Sequence, residues 1–224
     1  MNLKEVVGKK AVDYVKDGMI VGLGTGSTVF YFVHALVDRV KEGLNVEMVS
    51  TSIQTVELAK SLGLSIKELE EIDHIDLAVD GVDEIDKDFN AIKGGGAALF
   101  REKIVADIAR EVIWIYDESK DVEKLGNFNL PVEILPFGYS HTIRKMEEAG
   151  LNPVLRLKDG ATLITDNNNY IVDLHLGYGF DIKAVKEKLE SIVGVVEHGL
   201  FLNMCKLCIK GTEQGAVIIE NPNK

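Results

Sequence analysis

The sequence predicts an α/β protein: a doubly wound, mostly parallel sheet of Rossmann-like type, with a smaller ferredoxin-like α+β module. Three observations predict it. Over the first 127 residues, short apolar runs alternate with stretches of helical apolar spacing, the pattern of consecutive parallel β-α-β units. Glycines and polar residues gather where those runs end, at Gly24 to Thr28, Thr51-Ser52, Asp80 to Asp83 and Asp117 to Lys120. Ligands of open α/β sheets bind at the carboxyl ends of strands. Beyond Asn127 to Pro131 the order becomes β-α-β-β-α-β, that of a ferredoxin-like module. We therefore expect a catalytic domain over residues 1–127 and 200–224, and an accessory or interface domain over 128–199.

The elements follow in order. Leu3, Val6, Val7, Ala11, Val12 and Val15 are spaced for a helix over 3–16, stopped by Asp17-Gly18. Met19 to Leu23 is a short apolar strand, and a helix follows over 28–41. Val46 to Ser50 is a strand, and Thr51-Ser52 caps a helix over 53–62. Ile66 to Leu69 and Ile75 to Val79 are read as strands, 97–110 as a helix, and Val112 to Tyr116 as a strand. In the second module Val132 to Leu135, Asn152 to Leu157, Tyr170 to Leu176 and Val195-Val196 are strands, with helices over 140–149 and 181–192.

Composition narrows the function classes. The 224 residues are 46% apolar and 27% charged, ordinary for a globular protein. There is no apolar run of membrane-spanning length, and the start lacks the apolar stretch of a signal peptide. The net charge of −11, with scattered basic residues, argues against nucleic acid or an anionic membrane as partner. Any anionic ligand needs a local positive site. Cys205 and Cys208 are the only cysteines. Phe201 to Lys210 reads as one strand, which would turn the two thiols to opposite faces. Reduced thiols fit the cytosol.

The loop Gly22-Leu-Gly-Thr-Gly-Ser-Thr28 is not a dinucleotide fingerprint, because Ser27 stands where the third glycine belongs and Ser50 to Ser52 replace the acidic residue. It is not a Walker loop, since no lysine follows the last glycine. What remains is a tight strand-to-helix turn with exposed N–H groups, hydroxyls and a helix start. Those parts suit a phosphate monoester, although an ordinary capped turn has the same look.

Asp80-Gly-Val-Asp-Glu-Ile-Asp86 directly follows a buried strand and lacks calcium-loop spacing. Acid–base work and a magnesium site both stay open. Lys93 precedes three glycines, Gly94, Gly95 and Gly96, which is where backbone meets a ligand or turns sharply. On the next helix Ala98, Leu99, Ile104, Val105 and Ile108 mark the buried stripe, with Glu102 near its edge. Helical position alone favours a solvated surface glutamate over a catalytic one.

Taken together, these motifs resemble ribose-5-phosphate isomerase, type A. The matching blocks are Gly22 to Thr28, Asp80 to Asp86, Lys93-Gly-Gly-Gly-Ala-Ala97, Arg101-Glu-Lys-Ile-Val105, Asp117-Glu-Ser-Lys120, Pro131-Val-Glu-Ile134, Thr165-Asp166 with Asn169, and Gly194-Val-Val with Gly199-Leu-Phe201. They span nearly the whole chain in order. The resemblance implies interconversion of ribose 5-phosphate and ribulose 5-phosphate through an enediolate, with no metal or other cofactor. It places the base on Glu102, further catalytic groups on Asp80, Asp83 and Lys93, and substrate contacts at Thr25, Gly26, Ser27, Thr28, Gly81, Val82, Gly94, Gly95, Gly96, Lys120 and Lys4. It implies a cytoplasmic homodimer or homotetramer whose partner is a small sugar phosphate. Val82, Asn168 and His198 depart from the residues usual in the family, namely alanine, glycine and asparagine. Two rivals are weighed. A different transformation on a related fold is disfavoured by Lys93 with Glu102. A sugar-phosphate sensor is disfavoured by the acidic chain, which carries no DNA-reading appendage.

Overall fold

A computed structural model describes residues 2–224. In chain order the elements are α1 (Leu3–Val12), β1 (Ile20–Leu23), α2 (Ser27–Lys41), β2 (Glu47–Ser50), α3 (Ile53–Ser61), β3 (Ile75–Gly81), β4 (Glu84–Ile85), β5 (Asn90–Ile92), α4 (Leu99–Ile108) and β6 (Ala109–Asp117). They continue with β7 (Leu130–Ile134), α5 (Tyr139–Glu148), β8 (Pro153–Leu155), β9 (Leu157–Lys158), β10 (Ala161–Thr162), β11 (Tyr170–Leu174), α6 (Ile182–Ser191), β12 (Val195–His198), β13 (Leu200–Leu202), β14 (Leu207–Thr212) and β15 (Gly215–Glu220). The chain forms two compact units. The first holds residues 1–82, 101–120 and 203–224, and the second 83–100 and 121–202.

The first unit is built on a six-stranded sheet in the order β15-β14-β6-β3-β1-β2. All neighbours are parallel except the edge pair β14–β15. Alternation along the strands explains the double winding. Val21, Leu23, Leu77, Val79, Ile113 and Ile115 share one core with Val7 and Ala11 of α1 and Phe32, Val33 and Leu36 of α2. Gly22 and Ala78 point the other way, and a Cβ on Gly22 would lie 2.6 Å from Val105 Cγ1 of α4. So α1 and α2 cover one face and α4 the other. Gly8 lets α1 and α2 cross closely, since a Cβ there would sit 2.7 Å from the Phe32 backbone nitrogen.

The second unit carries the antiparallel sheet β12-β7-β11-β8. With α5 after β7 and α6 after β11, this is the ferredoxin-like arrangement. Met146 of α5 and Val185 and Leu189 of α6 pack on Leu130, Val132, Val172 and Leu174. Glu133, fully buried on β7, accepts hydrogen bonds from Thr165 Oγ1 (3.0 Å), Asn167 Nδ2 (3.0 Å) and Asn169 Nδ2 (2.9 Å). Asn168 sits at φ 60°, a left-handed conformation that asparagine tolerates best after glycine. A smaller sheet, β13-β5-β4, lies in the same unit.

Several expectations need correcting. Ile66 to Leu69 forms no strand. Its backbone is tied to the sheet through Lys67 N–H to Met48 O (2.8 Å), and a Glu68–Glu71 capping box turns the chain into a single 3-10 turn. The first helix stops at Val12, not residue 16. Phe201 to Lys210 is two strands, because Asn203 at φ 49° breaks the extended run. The two thiols are therefore on one side, both buried, with Sγ atoms 3.8 Å apart. No helix among the described residues is long and apolar enough to cross a membrane.

Candidate active site

In the first unit, β1 ends at Leu23 and the chain turns at Gly24. Gly24 must be glycine: a Cβ there would lie 2.1 Å from Asp80 Cγ and Oδ1. That closeness lets the Thr25 N–H donate to Asp80 Oδ1 at 3.0 Å, beside the Gly81 N–H at 2.7 Å. Two N–H donors on one buried carboxylate fix its position, each bond contributing about 1.5–3 kcal/mol because the acceptor is charged. The Thr25 hydroxyl bonds Thr51 Oγ1 at 2.7 Å, and Thr55 Oγ1 donates to Gly24 O at 2.9 Å. Carboxyl ends of β1, β2 and β3 are thus tied into one edge.

The helix that follows this loop starts with Gly26 as its N-cap, at φ 108°, which supplies no side-chain cap. The first-turn N–H groups of a helix have no intrahelical acceptor, and the helix dipole favours an anion there. Lys4 Nζ donates to Ser27 Oγ at 2.8 Å, bringing a full positive charge to this helix start. An open cavity of about 840 Å³ adjoins it, lined in part by Lys4, Ser27, Tyr31 and Thr55. Thr28 lies in the first turn of α2. Lys120 closes a 3-10 turn (Glu118–Lys120) after β6, half-buried. Among the described residues it bonds to none of the loop.

Glu102 corrects the helix reading. It is only 5% exposed, whereas Ile108 is 40% exposed. The buried stripe of α4 runs through Leu99, Glu102, Val105 and Ala106, the i, i+3, i+4 spacing of one helical face. The helix starts two residues later than expected and ends two earlier, because Ala97 sits at φ 59° and the chain enters β6 at Ala109. Glu102 is therefore a carboxylate inside the apolar stripe, an environment in which ionised groups are kept only for a reason.

In the second unit, Asp83 anchors the triple-glycine loop. Its backbone N–H donates to Ile92 O (2.9 Å), and its Oδ2 accepts from the Gly95 N–H (2.7 Å). A Cβ on Gly95 would lie 2.6 Å from Asp83 Oδ1, so the loop approaches this carboxylate only as glycine. Gly94 takes φ 107°, with Leu99 and Pro131 filling the space a side chain would need. Lys93 is 2% exposed; its N–H donates to Gly199 O (2.9 Å), and its ammonium lies 5.4 Å from the Phe201 ring centroid, within range of a cation–π contact. Val82, the last residue of this stretch in the first unit, is buried.

The geometry thus joins Thr25, Asp80 and Gly81 in one unit, with Lys4 on Ser27, and Asp83 with Gly95 in the other. It also involves residues the sequence did not single out. Thr55 holds the Gly24 carbonyl, and Arg156 donates to the Gly94 and Gly95 carbonyls. Arg156 lies in the module read as accessory; a lone arginine between the leucines of an apolar strand was the available signal. Among the described residues, no cluster of three His, Cys, Asp or Glu side chains is arranged to hold a metal ion.

Residues 47–215 match the family model for ribose 5-phosphate isomerase A (phosphoriboisomerase A). The chain belongs to this family. A ribose-5-phosphate isomerase A of Lactiplantibacillus plantarum is 53% identical over 219 residues, covering 97% of this chain and 96% of the relative. That of Streptococcus suis is 51% identical over 221 residues, covering 98% and 99%. Among solved structures, ribose 5-phosphate isomerase A from Methanocaldococcus jannaschii superposes with TM-score 0.91 at 40% identity, covering 98% of each chain. A D-ribose-5-phosphate isomerase in complex with phospho-erythronic acid superposes with TM-score 0.92 at 36% identity, covering 98% of this chain and all of the other. Membership makes the chain an isomerase.

Proposed function

We propose that Glu102 is the base of an aldose–ketose isomerase that interconverts D-ribose 5-phosphate and D-ribulose 5-phosphate, the activity for which the family is named. The observation that carries this reading is the burial of Glu102 in the apolar stripe of α4. Burial holds the carboxylate in one place and away from bulk water, as a base that must meet a carbon-bound proton requires. In the open-chain aldose, Glu102 takes the proton from C2 and returns it to C1. The C1 oxygen gains a proton as the aldehyde is lost, and the C2 hydroxyl gives one up as the ketone forms. Asp80 and Asp83 carry these hydroxyl protons and serve ring opening. Lys93 and the Gly94 and Gly96 N–H groups stabilise the enediolate oxygen, a contribution of about 3–4 kcal/mol per donor in comparable sites, while the Gly95 N–H holds Asp83.

Thr25, Gly26, Ser27 and Thr28 hold the phosphate at the start of α2, with Lys4 and Lys120 supplying charge. Gly81 and Val82 line the sugar. The Lys4–Ser27 bond and the bare helix start support this assignment. It also gives a protein of net charge −11 a local way to bind an anion. Anchoring the distal phosphate orients the reacting carbons.

We read the protein as a cytoplasmic homodimer or homotetramer. Its buried free thiols and the exposed Leu135, Phe137 and Val193 support this reading.

The test is a coupled assay with ribose 5-phosphate, with and without EDTA. Glu102→Gln should lower kcat by roughly 10²–10⁴ while sugar-phosphate binding stays near that of the unmodified protein. Turnover should survive the chelator. Full turnover in Glu102→Gln rules out Glu102 as the base. Loss in EDTA restored by magnesium moves the acidic segment to a metal role.

A further inference from the structure

We infer that Arg156, held by Asp173, is a positioning residue that orients the peptide planes of the triple-glycine loop. The guanidinium forks in two directions. Its Nε and Nη2 pair with the two carboxylate oxygens of Asp173, the former at 2.8 Å. Its Nη1 donates to Gly94 O at 2.8 Å and to Gly95 O at 3.2 Å. Both side chains are largely buried, and a bidentate arginine–carboxylate pair is geometrically stiff. Asp173 sits on β11, an interior strand paired with β7 at Pro131 and with β8 at Val154. The pair therefore connects the loop to an interior strand of its own unit.

Peptide planarity explains what this connection does. A carbonyl and the N–H of the following residue lie in one plane and point in opposite directions. Pinning Gly94 O sets the direction of the Gly95 N–H, and pinning Gly95 O sets that of the Gly96 N–H. The first of these N–H groups goes to Asp83 Oδ2 at 2.7 Å. The second belongs to an exposed residue and, among the described residues, donates to no protein group. Arg156 thus pulls two adjacent carbonyls to one side, and the two amides face away from it. Glycines have no side chains to hold them in place, and a loop of three would otherwise sample many conformations. The inference rests on the reading that this loop meets the reacting oxygen.

The experiment compares Arg156→Gln, Arg156→Lys and Asp173→Asn in the full chain. It measures kcat and KM for ribose 5-phosphate, thermal unfolding, and hydrogen exchange at the amides of residues 94–96. Arg156→Gln should speed exchange at the Gly95 amide, which donates to Asp83, and lower kcat by about 10–100-fold, the usual consequence of misplacing a catalytic donor by an ångström. KM should move less than threefold, about the scale on which the remote phosphate grip is untouched. Asp173→Asn leaves the arginine present but untethered and should show a smaller loss in the same direction. Arg156→Lys, which keeps one donor without the fork, should recover part of kcat. Unchanged exchange at the Gly95 amide in folded Arg156→Gln overturns the inference. Faster exchange with unchanged kcat also overturns it, and then it is the oxyanion reading of the glycine loop that has failed. A fall in thermal stability with kcat unchanged in all three variants reduces Arg156 to a structural role and overturns it as well.

Discussion

Gly24→Ala tests how the substrate loop is locked to Asp80. The added methyl would sit 2.1 Å from Asp80 Cγ and Oδ1 and 2.6 Å from its Cβ. Ordinary contact begins near 3.4 Å, so the carboxylate must retreat by about 1.3 Å. Asp80 then loses its bonds from the Thr25 and Gly81 N–H groups, now at 3.0 and 2.7 Å. Each is a bond to a charged acceptor worth about 1.5–3 kcal/mol, and overpacking adds about 1–3 kcal/mol. Water recovers part of the loss, which leaves a destabilisation of about 3–5 kcal/mol. With urea m-values of about 1–3 kcal/mol per molar, the midpoint should fall by at least ~1 M, followed by circular dichroism and by the single buried Trp114. Displacement of Asp80 should lower kcat/KM by about 100-fold or more. Gly81→Ala is the stability control. Its nearest neighbours would be 3.8 and 3.9 Å away and it carries no positive φ, so its midpoint should stay within about 0.5 M of the unmodified protein. A Gly24→Ala protein with midpoint and kcat/KM within twofold of the unmodified one would refute the reasoning.

Two further outcomes are expected. The Asp76 carboxyl is held below its ordinary value chiefly by the Ile20 N–H, then by His74 and Arg110, against the opposing effect of burial. A depressed pKa contributes stability above the unfolded value near 3.9 and loses it as pH falls through the folded value. Asp76→Asn should therefore cost about 1–2 kcal/mol at pH 7, with the gap closing below about pH 4 in urea melts; a gap that widens at low pH contradicts the assignment. Cys205 and Cys208 are both buried, so an aromatic disulfide reagent should label neither quickly in the native protein and both after denaturation. Fast native labelling would mean that the margin of β14 opens readily.

Elements with a clear local period were readable. The apolar runs at Met19 to Leu23 and Val112 to Tyr116 become strands because an interior parallel strand needs apolar residues on both faces. Gly24 and Gly95 marked close backbone approach, since a Cβ on either would lie within 3 Å of the Asp80 or Asp83 carboxylate. Ile66 to Leu69 misled because its apolar content is strand-like, yet its Glu68 and Glu71 side chains satisfy the backbone of a turn instead. The single strand expected over Phe201 to Lys210 failed at Asn203, whose left-handed φ has no signature in apolar content.

The class of fold, the ferredoxin-like order of the second module and a motif set specific enough to point to one enzyme family were all legible without coordinates. Those properties are written in local period and local residue type. Packing of the elements was needed to place Glu102 within the buried stripe of its helix, Lys4 on Ser27, the two thiols side by side, and Arg156 on the glycine loop from 61 and 62 residues away. Burial and long-range hydrogen bonds depend on which surfaces meet after the elements pack. A residue's own neighbours in the chain do not specify that.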